Sequence, residues 1–143
     1  GMNSHLNFDL DLATDQSEKN PVYYLQYAHA RICNIIKHSE ALELSNTSVY
    51  DSTLLKDPSE MRLLKKLEKF PWIIENALHS LEPQTISNYL HDTANFFHKF
   101  YSECRVVTDD MSLSAARIAL VKGTKVVLGN GLSLLGITAP ERM

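Results

Sequence analysis

NPVYYLQYAHARI, residues 20–32, sets the reading of the whole chain. Asn20 can accept a hydrogen bond from an exposed backbone N–H, and Pro21 at the first helical position gives up only an N–H that has no helical partner. A helix is therefore predicted from about residue 21 to about 44. On it Tyr24, Tyr27 and Arg31 stand at i, i+3 and i+7 and share one face, while Tyr23 points elsewhere, toward packing. Three tyrosines in five residues allow two readings: rings packed on other helices with hydroxyls at the rim, or a stacking platform for unpaired bases. In the second reading Arg31 supplies a planar fork for phosphate or a base edge.

Helical periodicity continues downstream. The Ser-, Thr- and Asn-rich stretch 45–60 reads as a loop with a short turn. It ends in Asp57, Pro58 and Glu60, a second helix start with cap, proline and capping-box acid in order. Met61, Leu64, Leu67 and Phe70 form an apolar stripe until Pro71 interrupts it, and Ile73, Ile74, Ala77, Leu78 and Leu81 are expected on one face of the next segment. Beyond Pro83, Ile86, Leu90, Ala94, Phe97 and Tyr101 step at three or four residues. A last segment runs from Leu113 through Leu135, and Gly123 inside it invites a local bend. Nothing alternates as a strand. The expected fold is all-α, a bundle of about five helices. Residues 1–19 are expected to be an extended lead-in anchored by Phe8, Leu10 and Leu12, with the helical domain at 20–143.

The chain has 143 residues, 44% apolar and 22% charged, enough for one core without a disulfide or structural metal. Cys33 and Cys104 form no C-x-x-C pair, which suits a reducing cytoplasm. No apolar run reaches the length a bilayer needs, so no membrane partner is expected. Gly1 before Met2 reads as a cloning remnant, hence the expectation that the chain is a piece of a longer protein. A net charge of −3 argues against a general grip on polyanions. Residues 105–143 are nevertheless mildly basic, with Arg105, Arg117, Lys122, Lys125 and Arg142 against Asp109, Asp110 and Glu141, so a local RNA contact is allowed. His29 and Cys33, at i and i+4, could ligate a metal, but no further ligand stands nearby. His79, His91 and His98 read as solvated or capping residues. The LGNGLSLLG segment, 128–136, fits no phosphate-binding fingerprint and reads as a helix with a weak or bent end. No nucleophile stands at a strained turn. The residues by themselves leave two classes open, an RNA-binding domain and a helical protein-interaction or dimerisation module.

NPVYYLQYAHARI, preceded by FDLDLA at 8–13 and followed by VLGNGLSLLGITAPERM at 127–143, resembles the C-terminal portion of the arginyl-tRNA synthetase family. The lead-in is similar to the exit from the catalytic domain and the remainder to the helical, DALR-type anticodon-binding domain. The resemblance implies a tRNA partner, specific for arginine, whose anticodon stem and loop meet Tyr24, Tyr27 and Arg31. It also implies contributions from Tyr101, within FHKFYSECRV, and from the terminal Met143. His29 it carries over only as a helix-orienting residue. For the whole enzyme it implies ATP, with magnesium, and a catalytic domain in the same chain; for this segment it implies no cofactor and no catalytic residue. The HIGH-type and KMSK-type ATP motifs and the domain that reads the tRNA elbow are absent from this sequence. The letters D-A-L-R do not occur, and Ala116, Arg117 and Ile118 stand at what looks like the equivalent position.

Overall fold

The computed structural model describes residues 8–41 and 50–143. Among them there are six helices: α1 (Leu10–Thr14), α2 (Pro21–Ala41), α3 (Pro58–Glu68), α4 (Phe70–Ser80), α5 (Gln84–Glu103) and α6 (Met111–Leu134), with a 3-10 turn at Ser52–Leu54. The all-α expectation holds; the predicted end of the first long helix near residue 44 lies outside the described residues. No helix among them is long and apolar enough to cross a membrane.

The starts of these helices follow from local chemistry. Asn20 Oδ1 accepts from the amides of Val22 and Tyr23 at 3.0 and 3.3 Å, opening α2. At α3 the Asp57 carboxylate accepts from Ser59 N, and Glu60 Oε2 accepts from Asp57 N at 2.9 Å, so both halves of a capping box are made. Asp110 caps α6 through the amides of Ser112 and Leu113. Helix α3 ends at Glu68, Lys69 alone separates it from α4, and Pro71 lies in the first turn of α4, where a proline costs no helical hydrogen bond.

Helices α5 and α6 form the centre. Helix α5 packs on α2, α3, α4 and α6, while α6 packs on α2, α3 and α5. Ile86, Leu90, Ala94 and Phe97 of α5 face Ala116, Leu120, Val121, Leu128 and Leu132 of α6 within one core cluster that also takes Leu25, Ile32 and Ile36 from α2. The two helices approach closely at Gly131: a Cβ there would overlap Leu90 Cδ2 and lie 2.9 Å from Leu90 Cδ1. Gly123 is different, since a Cβ would meet only Leu67 Cδ1 at 3.5 Å, an ordinary contact.

Several expectations need correction. The lead-in is not extended: Asp9 caps a short helix, α1, through Leu12 N at 3.0 Å. Nor do its apolar residues anchor it, because Phe8, Leu10 and Leu12 are 75%, 65% and 39% exposed. Its hold on the body is polar, through Asn20 Nδ2 donating to the carbonyls of Ala13 and Asp15. In α4 Ala77 is buried and Ile73 and Ile74 are half-buried, but Leu78 and Leu81 are exposed. Leu81 has turned into the left-handed region (φ 56°), where the helix ends and its periodicity no longer applies. Helix α6 runs through Gly123 without a break.

The buried ion pair between Glu60 and Arg117, 2.6 Å long with side chains 1% and 13% exposed, joins α3 to α6. Arg117→Met leaves a buried carboxylate without its cation and should cost about 3 kcal/mol in urea unfolding. The half-exposed Lys99–Glu103 pair at 3.8 Å should be worth less than about 0.5 kcal/mol by the same measurement. The two helical glycines should respond with opposite signs. Gly123→Ala should stabilise by roughly 0.5–1 kcal/mol through helix propensity, whereas Gly131→Ala should be net destabilising, since overpacking costs about 1–3 kcal/mol.

Candidate nucleic-acid interface

The outer side of α2 carries Tyr24, Tyr27 and Arg31, and packing on α5 decides what each can do. Tyr24 is half-buried: its hydroxyl donates to Asn95 Oδ1 at 2.7 Å, and its ring stacks on His91, with centroids 5.6 Å apart and planes at 7°. His98 lies against the same ring at 5.6 Å, tilted by 53°. Tyr24 is thus largely committed to α5. Tyr27 is 38% exposed, the most open of the three α2 tyrosines' rings that the sequence singled out for stacking or packing. Tyr23 is half-buried and borders the cleft between α1 and α2 instead of entering the core.

Arg31 and Tyr101 meet. The Arg31 guanidinium carbon sits 4.8 Å from the centre of the Tyr101 ring, a cation–π contact, while Tyr101 stacks in turn on Phe97 at 6.0 Å. This pair lines a cleft of about 710 Å³ between α2 and the segment that follows α5, which Asn34, His38 and Arg105 also border. Arg31 and Arg105 make the cleft cationic, and Tyr101, Ile35, Val106 and Val107 give it an apolar lining. Such a mixture suits a flat, partly polar ring attached to a phosphate. Three of the five residues singled out, Tyr24, Arg31 and Tyr101, therefore meet along the α2–α5 seam, and Tyr27 stands one turn before Arg31 on α2. Met143 is 54% exposed and stands two residues past Glu141, the last tail residue with an ion pair to the body.

His91 and His98 are neither solvated nor capping. Both are half-buried in the aromatic seam, and His98 Nδ1 is buried with no hydrogen-bond partner. Their spacing gave a signal: 91, 94, 98 and 101 step at three, four and three, so they share the face that carries Ala94 and Tyr101. Burial pushes the His98 imidazole below its ordinary value of 6.5; the Arg31 cation lowers it further, and Glu18 opposes. Burial also lowers His91, against the pull of Asp92. Burial, then Glu18, raises the Tyr24 phenol, so that ring is an uncharged donor at neutral pH. His79 donates locally, from Nδ1 to the Glu75 carbonyl at 2.7 Å.

The basic end is less available than its sequence suggests. Arg117 is spent internally, its Nε on Glu60 and a terminal nitrogen donating to the Arg105 carbonyl at 2.7 Å. Lys125 pairs with Glu141 at 3.6 Å. Arg105 and Arg142 are exposed. His29 and Cys33 are both buried, 3.8 Å apart, and His29 Nδ1 is engaged by the Pro140 carbonyl at 2.9 Å. Among the described residues no three His, Cys, Asp or Glu side chains are grouped to hold a metal ion.

The chain is thus a helical bundle with an aromatic, arginine-bearing seam between α2 and α5. Residues 25–143 match the DALR anticodon binding domain, and the chain belongs to that family. Among curated proteins it is 49% identical to an arginine–tRNA ligase from Symbiobacterium thermophilum over 99% of its length, and 48% identical to one from Moorella thermoacetica over 98%. It spans 26% and 25% of those proteins, about a quarter of each. The arginyl-tRNA synthetase of Thermus thermophilus superposes over 84% of the chain with a TM-score of 0.72 and 30% identity, matching 21% of that chain. The Plasmodium falciparum arginyl-tRNA synthetase shares the fold over 99% of the chain, with a TM-score of 0.76 at 24% identity, and the match takes in 24% of its length.

The depressed histidines give a pH dependence of definite sign. The unfolded chain takes up protons near 6.5 while folded His98 and His91 resist, so stability is fully present above that value and is lost as the pH falls below it. The melting temperature should decline between about pH 7 and 5. His98→Phe, which keeps a ring beside Tyr24 and Phe97, should flatten that decline in a thermal melt series.

Proposed function

We propose that this domain, residues 20–143 with 1–19 as the approach from the catalytic part, binds the anticodon stem and loop of an arginine-specific tRNA within an arginine–tRNA ligase. The observation that carries the proposal is the Arg31–Tyr101 stack in the wall of a cationic cleft of about 710 Å³, with exposed Tyr27 one turn before Arg31 on α2. Family membership and close curated relatives support it. Loop bases splay out, one stacks on Tyr27, and another enters the cleft over Tyr101 and the face of the Arg31 guanidinium. Tyr24 serves the site from behind, holding α2 against α5. Met143, at the end of a docked tail, closes one side. Charge enters at few points, which agrees with a net charge of −3.

The parent enzyme would be ATP-dependent, with magnesium, and cytoplasmic. ATP would act in the catalytic domain, and this segment alone would bind tRNA without charging it. The competing class, a protein-interaction module, predicts no anticodon dependence in a gel-shift titration with tRNA transcripts of altered anticodon; the RNA-binding reading predicts a clear one.

Tyr27→Ala in the full enzyme should raise the KM for tRNA by roughly 5- to 100-fold, the equivalent of losing one stacked base. The KM values for arginine and ATP in the same charging assay should stay within about twofold, because the substitution lies outside the catalytic domain. Charging kinetics identical to wild type would remove Tyr27 from the interface.

A further inference from the structure

Helix α3 carries charge of one sign along its outer face. Arg62, Lys65, Lys66 and Lys69 fall within about 100° of one another at 3.6 residues per turn, and neither Glu60 nor Glu68 lies in that sector. The opposite side holds Leu63, Leu64 and Leu67, which lie in or against the core. Lys66 is committed: its Nζ lies 2.8 Å from Asp92 Oδ2 and 4.8 Å from the centre of the Tyr89 ring. Arg62, Lys65 and Lys69 are exposed, and among the described residues no carboxylate pairs with them. Arg62 spends only Nε, on the Pro58 carbonyl of its own helix at 3.1 Å. Lys65 and Lys69 stand at i and i+4, where like charges repel, so the free domain gains nothing from holding them together.

This face adjoins the tyrosine-bearing side of α2 across the outer ridge of α5. Asp92, which takes Lys66, is followed one turn later by Asn95, which accepts from the Tyr24 hydroxyl at 2.7 Å. Asp92, Asn95 and Lys99 are exposed and step at three and four residues, so they form that ridge. Helices α2 and α3 both pack on α5, one on each side of it. With packed helices about 8–10 Å apart, the axes of α2 and α3 lie within about 20 Å of each other. The basic face of α3 and the Tyr24 edge of α2 therefore border one continuous surface.

We propose that Arg62, Lys65 and Lys69 form a second RNA contact, which takes the sugar–phosphate backbone of the helical stem adjoining the bound loop. The inference rests on the RNA-binding reading above and adds a surface to it. A loop seated on α2 leads directly into its stem, whose phosphates present negative charge at close, regular intervals. Three uncompensated cations one helix away are complementary to that charge. Lysines are point charges on flexible stems and grip phosphate whatever the sequence, whereas the flat rings and the Arg31 fork of the seam suit bases. Helix α3 thus positions the RNA that α2 and α5 read. A net charge of −3 does not oppose this, because the field that matters is local.

The test uses the full-length enzyme and an arginine tRNA transcript in gel-shift titrations. Lys65→Gln/Lys69→Gln removes two charges at nearly equal helix propensity, and Lys65→Arg/Lys69→Arg keeps them. Each phosphate contact adds about 0.7–0.9 to the slope of log affinity against log salt, so between about 50 and 200 mM salt the wild type should lose roughly 7- to 12-fold more affinity than the Gln variant. The Arg variant should follow the wild type, and all three should prefer the arginine anticodon over an altered one equally. Ethylation of stem phosphates should weaken binding by the wild type and leave the Gln variant unaffected. Equal salt dependence in the wild type and the Gln variant, which a merely solvated face or one that meets an acidic protein segment would give, overturns the proposal. So does a loss of anticodon preference in that variant, or an ethylation effect that disappears only outside the stem. A wild-type enzyme indifferent to the anticodon would defeat the RNA-binding reading itself, a result that does not depend on the salt series.

Discussion

Glu60 is the residue on which the arrangement of the cleft depends. One carboxylate oxygen closes the capping box of α3 by accepting from Asp57 N, and the other accepts from Arg117 of α6. Arg117 passes the constraint on by donating to the Arg105 carbonyl, and Ser59 Oγ lies 3.4 Å from Cys104 Sγ. The start of α3 and the second turn of α6 thus hold residues 104–107, the wall of the cleft that faces α2. A buried pair of this kind gives little net stability compared with apolar packing of equal volume, because both ions are desolvated. Its worth here is geometric: it permits one placement of the chain between α5 and α6.

Helix α2 works on both edges because its neighbours are asymmetric. Leu25, Ala28, Ile32 and Ile36 make its buried face. On one edge lie aromatic contacts to α5, through Tyr24 and Arg31; on the other lie polar contacts to the tail, through Gln26 and His29. Under the proposed role, an arginine stacked on a tyrosine also reconciles a low net charge with RNA binding. The guanidinium keeps its charge and its in-plane donors while one face rests on a ring, so it loses less freedom on meeting a ligand than a lysine would.

Much of this was legible in the sequence because it is local. Asn20, the Asp57-Pro58-Glu60 start and the α5 stripe each follow from residues within one or two turns. What escaped depends on distance. Nothing near Arg117 announces Glu60, 57 positions earlier, and its place in the mildly basic end allowed an RNA contact instead. Gly131 looked like a weak helix residue, yet its lack of a Cβ is what lets α6 approach Leu90. Leu78 and Leu81 kept the period of a buried face, but no neighbour covers that turn of α4, and the backbone leaves the helix at Leu81. At the candidate site, the α2 face was readable from spacing, whereas its contact with Tyr101 came from the way α2 and α5 cross. His91 and His98 carried a readable period and were passed over because histidine so often sits in solvent.

The Arg31–Tyr101 contact also bears on how a base would enter under the proposed role. At a partly exposed site a cation–π pair is worth about 0.5–1 kcal/mol. A base stacked on an aromatic ring is worth about 1–3 kcal/mol. An incoming base can therefore displace the guanidinium from the ring with energy left over, and the freed fork then meets the adjoining phosphate. It can equally stack on the outer face of the guanidinium and leave the pair intact. Phe97 at 6.0 Å and the Arg31 guanidinium at 4.8 Å both crowd the Tyr101 ring, so a base that stacks directly on this tyrosine has to compete with the arginine. The free protein would then keep Arg31 parked where RNA will replace it, protecting the ring from water and holding the cation within reach of the phosphate.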